Sequence, residues 1–179
     1  LNIAHLSERI PVVASTHPHL VTAVGGLFLV SFGIKAGVFP LYFWLPSSYH
    51  TPPVAVSAAF AGLLTKVGVY AILRVHGLVF GPDAGATASL LSPWLLPIGL
   101  LTVLVATLGV LASRDLRRLL AHLVVLSAGT LILTLGLDSE AATSAALYYA
   151  RNSPLVGGGR FLLAYLIARE RCAARTRLD

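Results

Sequence analysis

From Gly33 to Arg74 the chain reads GIKAGVFPLYFWLPSSYHTPPVAVSAAFAGLLTKVGVYAILR, which sets Lys35 and Lys66 inside apolar segments joined by a proline- and aromatic-rich connection. Between Arg9 and Asp83 there is no Asp or Glu, so neither lysine has a carboxylate in its own or its neighbouring segment. A cation at the middle of a bilayer costs about 2.5 to 3.5 kcal/mol on insertion scales, and such residues face a bundle interior or a hydrated path. The arrangement therefore points to a proton or cation route through a membrane.

Composition agrees with that reading. The 179 residues are 56% hydrophobic and 11% charged, whereas an ordinary soluble domain has about 25% charged residues. The net charge of +6 does not indicate nucleic acid. Arg114, Arg117, Arg118, Arg169, Arg171, Arg175 and Arg177 lie at the ends of apolar spans, a placement that suits anionic lipid and the positive-inside rule, and no basic fold motif accompanies them. The single cysteine, Cys172, excludes an internal disulfide. No pair of histidines has metal-ligand spacing on one helix, and nothing calls for a cofactor. The chain contains no methionine and nothing at Leu1 resembles a signal peptide, so it reads as a piece of a longer chain.

The expected fold is all-α, a polytopic helical membrane protein with about five transmembrane helices. Residues 1–18 read as an extramembrane loop with a short surface helix, 19–168 as the transmembrane bundle, and 169–179 as a basic cytoplasmic tail. The expected spans are 19–45, 53–80, 93–112, 115–137 and 141–168. A bilayer core of about 30 Å needs about 20 helical residues, so the first span leaves room for a break. Pro40 supplies it, because it removes a backbone donor and clashes with the carbonyl of Ala36, beside Lys35. Pro46 to Pro52 reads as a turn, with Pro53 opening the next helix. Loops 1–18, 81–91 and 138–140 share one face that carries only Arg9, and the arginine-rich ends share the other, which places the latter in the cytoplasm.

Lys35 and Lys66 are the candidate proton relay. Lys35 lies about 24 Å of helical rise from one end of its span and about 18 Å from the other, and Lys66 lies near the middle of its helix, both beyond easy snorkelling reach. His50 sits in the turn and reads as a solvated loop residue. His76 and His122 lie near span ends and read as interfacial polar groups. All three histidines are secondary candidates for lining a hydrated path. Gly157 to Gly159 lack the strand and lysine of a phosphate-binding loop and mark a helix break or close packing. Arg151 and Arg160 are unusual in the last span.

The strings GIKAGVFPLYFWLPSSYHTPP, GLLTKVGVYAILRV, RDLRRLLAHLVVLSAG and LIARER resemble the proton-translocating antiporter module shared by Mrp-type cation/proton antiporters and the antiporter-like subunits of respiratory complex I. The Mrp D subunit is the nearest likeness, and it extends over nearly the whole chain. The resemblance implies the seventh to eleventh of about fourteen helices, with the seventh broken near Pro40 and the central relay lysines at Lys35 and Lys66. It implies that Lys35 pairs with a glutamate on an earlier helix that this sequence does not contain. It further implies partners in a hetero-oligomeric complex of the bacterial inner membrane, exchange of protons for Na⁺ or K⁺, and no enzymatic step. The alternative is the membrane arm of an NADH:quinone oxidoreductase using the same lysines. Two positions depart from the family. Asn152, followed by Pro154, stands where relatives often carry a histidine, and Gly157 to Arg160 replace apolar residues.

Overall fold

Hydrocarbon offers backbone groups no hydrogen-bond partners, so a chain this apolar must satisfy them within helices. The computed structural model, which describes residues 2–81, 84–85, 88 and 90–175, does so. Its helices are α1 (Ile3–Thr16), α2 (Pro18–Ala36), α3 (Trp44–His50), α4 (Val54–Leu78), α5 (Ser92–Ala112), α6 (Leu116–Gly136) and α7 (Glu140–Arg175). Four of them, α2, α4, α5 and α6, are long and apolar enough to cross a membrane. Their outward faces are bare apolar side chains such as Leu27, Val30, Leu104 and Leu108, the surface that lipid requires.

The structure differs from the sequence reading in three places. Residues 3–16, expected as a loop with a short surface helix, form the 14-residue α1. The connection expected as a turn from Pro46 to Pro52 is helical as far as His50. Pro46 is tolerated there because it falls in the first turn, where backbone donors have no intrahelical partner. The last expected span is α7, 36 residues long and continuous through Pro154 and the glycine run. Arg151, Asn152 and Arg160 make it more polar than the other four long helices.

α6 is the centre of the bundle. Of its apolar window 56% is buried, against 22% for α2 and for α5. It packs along α5, α7, α3 and α4, and α4 in turn packs on α2 and α7. Small residues set these approaches. A Cβ on Gly99, Gly129 or Gly136 would collide with Leu133, Thr102 or Leu96 across the α5–α6 seam, and Ala58, Ala61 and Gly62 of α4 meet Pro154, Gly157 and Gly158 of α7. Two apolar cores result. One gathers Val69, Ile72, Leu95, Leu131 and Ile132; the other gathers Leu45, Tyr49, Ala61, Val125 and Phe161. Along α4, Lys66 lies between Ala61 of one core and Val69 of the other.

Candidate functional site

The site begins where α2 stops. Gly37 takes the left-handed conformation, φ 70° and ψ 46°, which costs a glycine nothing because it has no Cβ. The Gly37 N–H then donates to the Ile34 carbonyl at 3.1 Å and the Val38 N–H to the Gly33 carbonyl at 3.2 Å, the paired closure that ends many helices at glycine. Pro40 follows inside the non-helical stretch. Other helices satisfy the backbone groups that the break frees. The Phe39 N–H donates to Thr102 Oγ1 of α5 at 2.9 Å, and the Trp44 indole N–H donates to the Ile34 carbonyl at 3.0 Å. The re-formed helix α3 is clasped to α4 by the Tyr49 hydroxyl donating to the Phe60 carbonyl and the Ser57 hydroxyl donating to the Tyr49 carbonyl.

This termination brings the two lysines to one depth. A Cβ on Gly68 would lie 2.7 Å from the Ala36 nitrogen and 3.0 Å from the Lys35 carbonyl carbon, so the last turn of α2 rests directly on the middle of α4, two residues past Lys66. Only glycine permits that approach. Lys35 is exposed on the described chain and Lys66 is partly buried. Among the described residues neither forms an ion pair.

Lys66 faces a cavity of about 240 Å³ between α4, α6 and α7, whose polar lining includes Ser127, Tyr149, Asn152, Ser153 and Arg160. The Ser127 and Ser153 hydroxyls are 2.7 Å apart across α6 and α7. Hydroxyls and an amide both give and accept hydrogen bonds, and the volume holds several water molecules. The Lys66 side chain, the Asn152 amide and the two hydroxyls thus border one space at mid-bundle, shared with apolar side chains such as Leu123, Val124 and Phe161.

The histidines sit apart from this space. His76 lies ten residues beyond Lys66 on α4, about 15 Å of rise. It is buried at 8% exposure, with its Nε2 3.5 Å from Asp138 Oδ1. Asp138 Oδ2 accepts the Ser92 hydroxyl at 3.0 Å. His122 fits against Gly109 of α5, with Nδ1 2.9 Å from the Arg118 carbonyl and 3.3 Å from Ser113 Oγ. The His50 side chain lies outside the described residues. Sequence reasoning missed Gly68, Thr102, Ser127 and Ser153. Ser127, Ser153 and Thr102 carry a legible signal as hydroxyls in apolar surroundings, but their partners are set by the tertiary fold.

A helical bundle of apolar spans, one of them interrupted beside a lysine and a second lysine at the same depth against a cavity, defines a polytopic membrane module. The family described as NADH:quinone oxidoreductase/Mrp antiporter, TM matches residues 1–178, and the chain belongs to it. It is 40% identical over 164 residues, 92% of its length, to the Na(+)/H(+) antiporter D subunit of Bacillus subtilis (strain 168). It is 42% identical over 175 residues, 97% of its length, to the probable K(+)/H(+) antiporter D subunit of Rhizobium meliloti (strain 1021). The match covers 32% of each of these relatives, so the chain spans about a third of their length. The solved structure of the Mrp complex from Dietzia sp. DQ12-45-1b superposes with a TM-score of 0.78 at 28% identity, over 90% of this chain and 28% of that one.

Proposed function

We propose that this chain is the central part of a proton-translocating D-type subunit of a multisubunit monovalent cation (Na⁺ or K⁺)/proton antiporter in a bacterial inner membrane, and that Lys35 and Lys66 relay the proton. The observation that carries this reading is the glycine-permitted contact of the α2 end on the middle of α4. It sets both lysines at one depth, with Lys66 opening onto the cavity that holds Ser127, Asn152 and Ser153. In the relay the Lys35 ammonium gives up one N–H proton to water and becomes a neutral amine. Water carries the proton to the Lys66 amine, which becomes the ammonium, and the cavity hydroxyls and amide order the water onto which Lys66 releases it. A carboxylate from the rest of the subunit meets the open side of Lys35, as the family resemblance implies. Asn152 cannot hold a proton at neutral pH, so its part is to orient water. The arginine-bearing end, where Arg117 and Arg171 line one cavity, faces the cytoplasm by the positive-inside bias. The other subunits of the complex are the partners, and no covalent chemistry is involved.

The names of the relatives support the antiporter over the redox-driven membrane arm, which would use the same two lysines. The test is proton flux in everted vesicles from the full-length protein in its complex, normalised to assembled protein. Arginine stays protonated, with a pKa above about 12. Lys35→Arg and Lys66→Arg should therefore abolish cation-driven flux while the complex still assembles. Near-normal flux in both would leave the lysines a structural role only.

A further inference from the structure

The end of the bundle where α4 finishes and α6 passes into α7 carries a second polar constellation. Three elements far apart in sequence converge on Asp138. The last turn of α4 brings the His76 Nε2 to 3.5 Å from Oδ1, the first turn of α5 brings the Ser92 hydroxyl to 3.0 Å from Oδ2, and Asp138 itself turns the chain from α6 into α7. Asp138 holds the left-handed conformation, φ 48°, which is uncommon outside glycine. The two side chains differ in access: 9% of His76 is exposed and 48% of Asp138. Among the described residues the buried His76 Nδ1 has no hydrogen-bond partner, a costly state for a polar atom unless water or a proton visits it. Beside the pair opens a cavity of about 530 Å³ whose polar lining is His76, Asp138, Ser139, Glu140, Thr143 and Ser144.

We propose that His76 and Asp138 form a proton-loading pair at the outer mouth of the bundle, on the α4 helix that carries Lys66. The inference rests on the relay reading above. Asp138 meets water in the cavity and takes a proton, an O–H bond of hydronium breaking as the carboxyl O–H forms. That O–H then breaks as the His76 Nε2–H forms, leaving an imidazolium beside the carboxylate, and the pair holds the proton at the mouth. Ser92 keeps the carboxylate turned toward the ring. The other charged groups near His76 among the described residues are few. Glu140 of α7 lines the same cavity, and Glu8 of α1 lines an adjoining one with Gly77 and Leu78. Arg74, two residues back on α4, lies over the Tyr70 ring at 5.9 Å. The surplus of carboxylates draws protons to this mouth.

The experiment uses the full-length subunit in its complex, reconstituted in proteoliposomes with pH set independently on each side. Asp138→Asn and His76→Gln should each move the half-saturating proton concentration on the Asp138 side at least threefold upward, with maximal flux nearly unchanged. The double variant should shift it no further than the larger single one. Ser92→Ala, which keeps both titratable groups, should shift it much less. Unaltered half-saturation in both single variants, additive shifts in the double variant, or a Ser92→Ala shift equal to that of Asp138→Asn would overturn the proposal. If Asp138→Asn does not assemble, His76→Gln alone decides. Failure of the lysine relay is separate, since that reading falls only if Lys35→Arg and Lys66→Arg keep flux at saturating protons.

Discussion

The α5–α6 seam and the α4–α7 seam are built from the same material and do opposite things. Both bring helices together on glycine and alanine, since a membrane helix pair gains from close backbone approach and has no hydrophobic drive to associate. At α5–α6 the glycines meet the backbone or side chains of Leu96, Thr102 and Leu133, and the seam is closely packed. At α4–α7 the small residues stop short. Pro154, Gly157 and Gly158 meet Ala58, Ala61 and Gly62 at looser distances, and beside them the seam opens onto the cavity of Lys66, Asn152 and Ser153. A closely packed seam fixes geometry, whereas a seam with a polar gap has room for water. The close contact of α2 on Gly68 belongs to the first kind in packing and to the second in consequence, because it positions the lysines.

The strongest way to break this comparison is to exchange the two phenotypes. Gly99→Leu puts a side chain where the Leu133 backbone lies, and overpacking of this kind costs about 1 to 3 kcal/mol or more. Assembled complex should fall at least tenfold, as read by native gel, while the molecules that do assemble exchange at a normal rate. Lys66→Arg should do the reverse. If Gly99→Leu assembles normally but loses flux, the seam is no scaffold.

Next in size is Gly68→Val. Its side chain would force the Ala36 backbone away from a 2.7 Å approach and separate the lysines while leaving both present. Flux per assembled complex should fall about tenfold, the equivalent of about 1.4 kcal/mol on the barrier. Gly77→Ala, on the same helix with open space around it, should leave flux unchanged.

A smaller effect is expected at the break. Thr102→Val keeps the shape of the side chain and leaves the Phe39 N–H without its acceptor, a cost of about 1 to 3 kcal/mol for a buried donor. Thermal unfolding of the detergent-solubilised complex should show a lower midpoint. An unchanged midpoint would mean that water replaces Thr102, and the stretch around Pro40 is wetter than the α5–α6 seam.

The parts legible in the sequence are those written in local chemistry. Two lysines in apolar runs and a proline beside one of them announce a charged, interrupted span without any tertiary information. The details that make the interruption work are not legible. Gly37 ends the helix three residues ahead of Pro40, and nothing local says which of several glycines will adopt a positive φ. Thr102 and Trp44 satisfy the freed groups from elsewhere in the chain, and a hydroxyl in an apolar span looks the same whether it caps its own helix or another. Thr102 does both, since it also donates to the Ile98 carbonyl at 2.6 Å. His76 illustrates the same limit. Its place near a helix end suggests an interfacial residue, and only the fold brings Asp138 to it. In α7 the arginines and Asn152 are awkward for a plain span, and the structure gives Asn152 and Arg160 a polar cavity to line.

The smallest change sharpens the comparison at the polar seam itself. Ser153 stands 2.7 Å from Ser127, and this pair is the polar contact that crosses directly from α6 to α7 beside Lys66. If the cavity only holds helices together, Ser153→Ala should lower stability by the net worth of one hydrogen bond, about 0.5 to 1.5 kcal/mol, and leave flux per assembled complex alone. If the hydroxyls order the water that takes the proton from Lys66, flux should fall about two- to fivefold, corresponding to about 0.4 to 1 kcal/mol on the barrier. Ser153→Thr should restore it, because the hydroxyl returns. The discriminating quantity is thus flux after normalisation, with the threonine variant separating a lost hydroxyl from a disturbed helix. Rescue of stability without rescue of flux would place the proton path away from this seam and return Ser127 and Ser153 to the packing of α6 on α7.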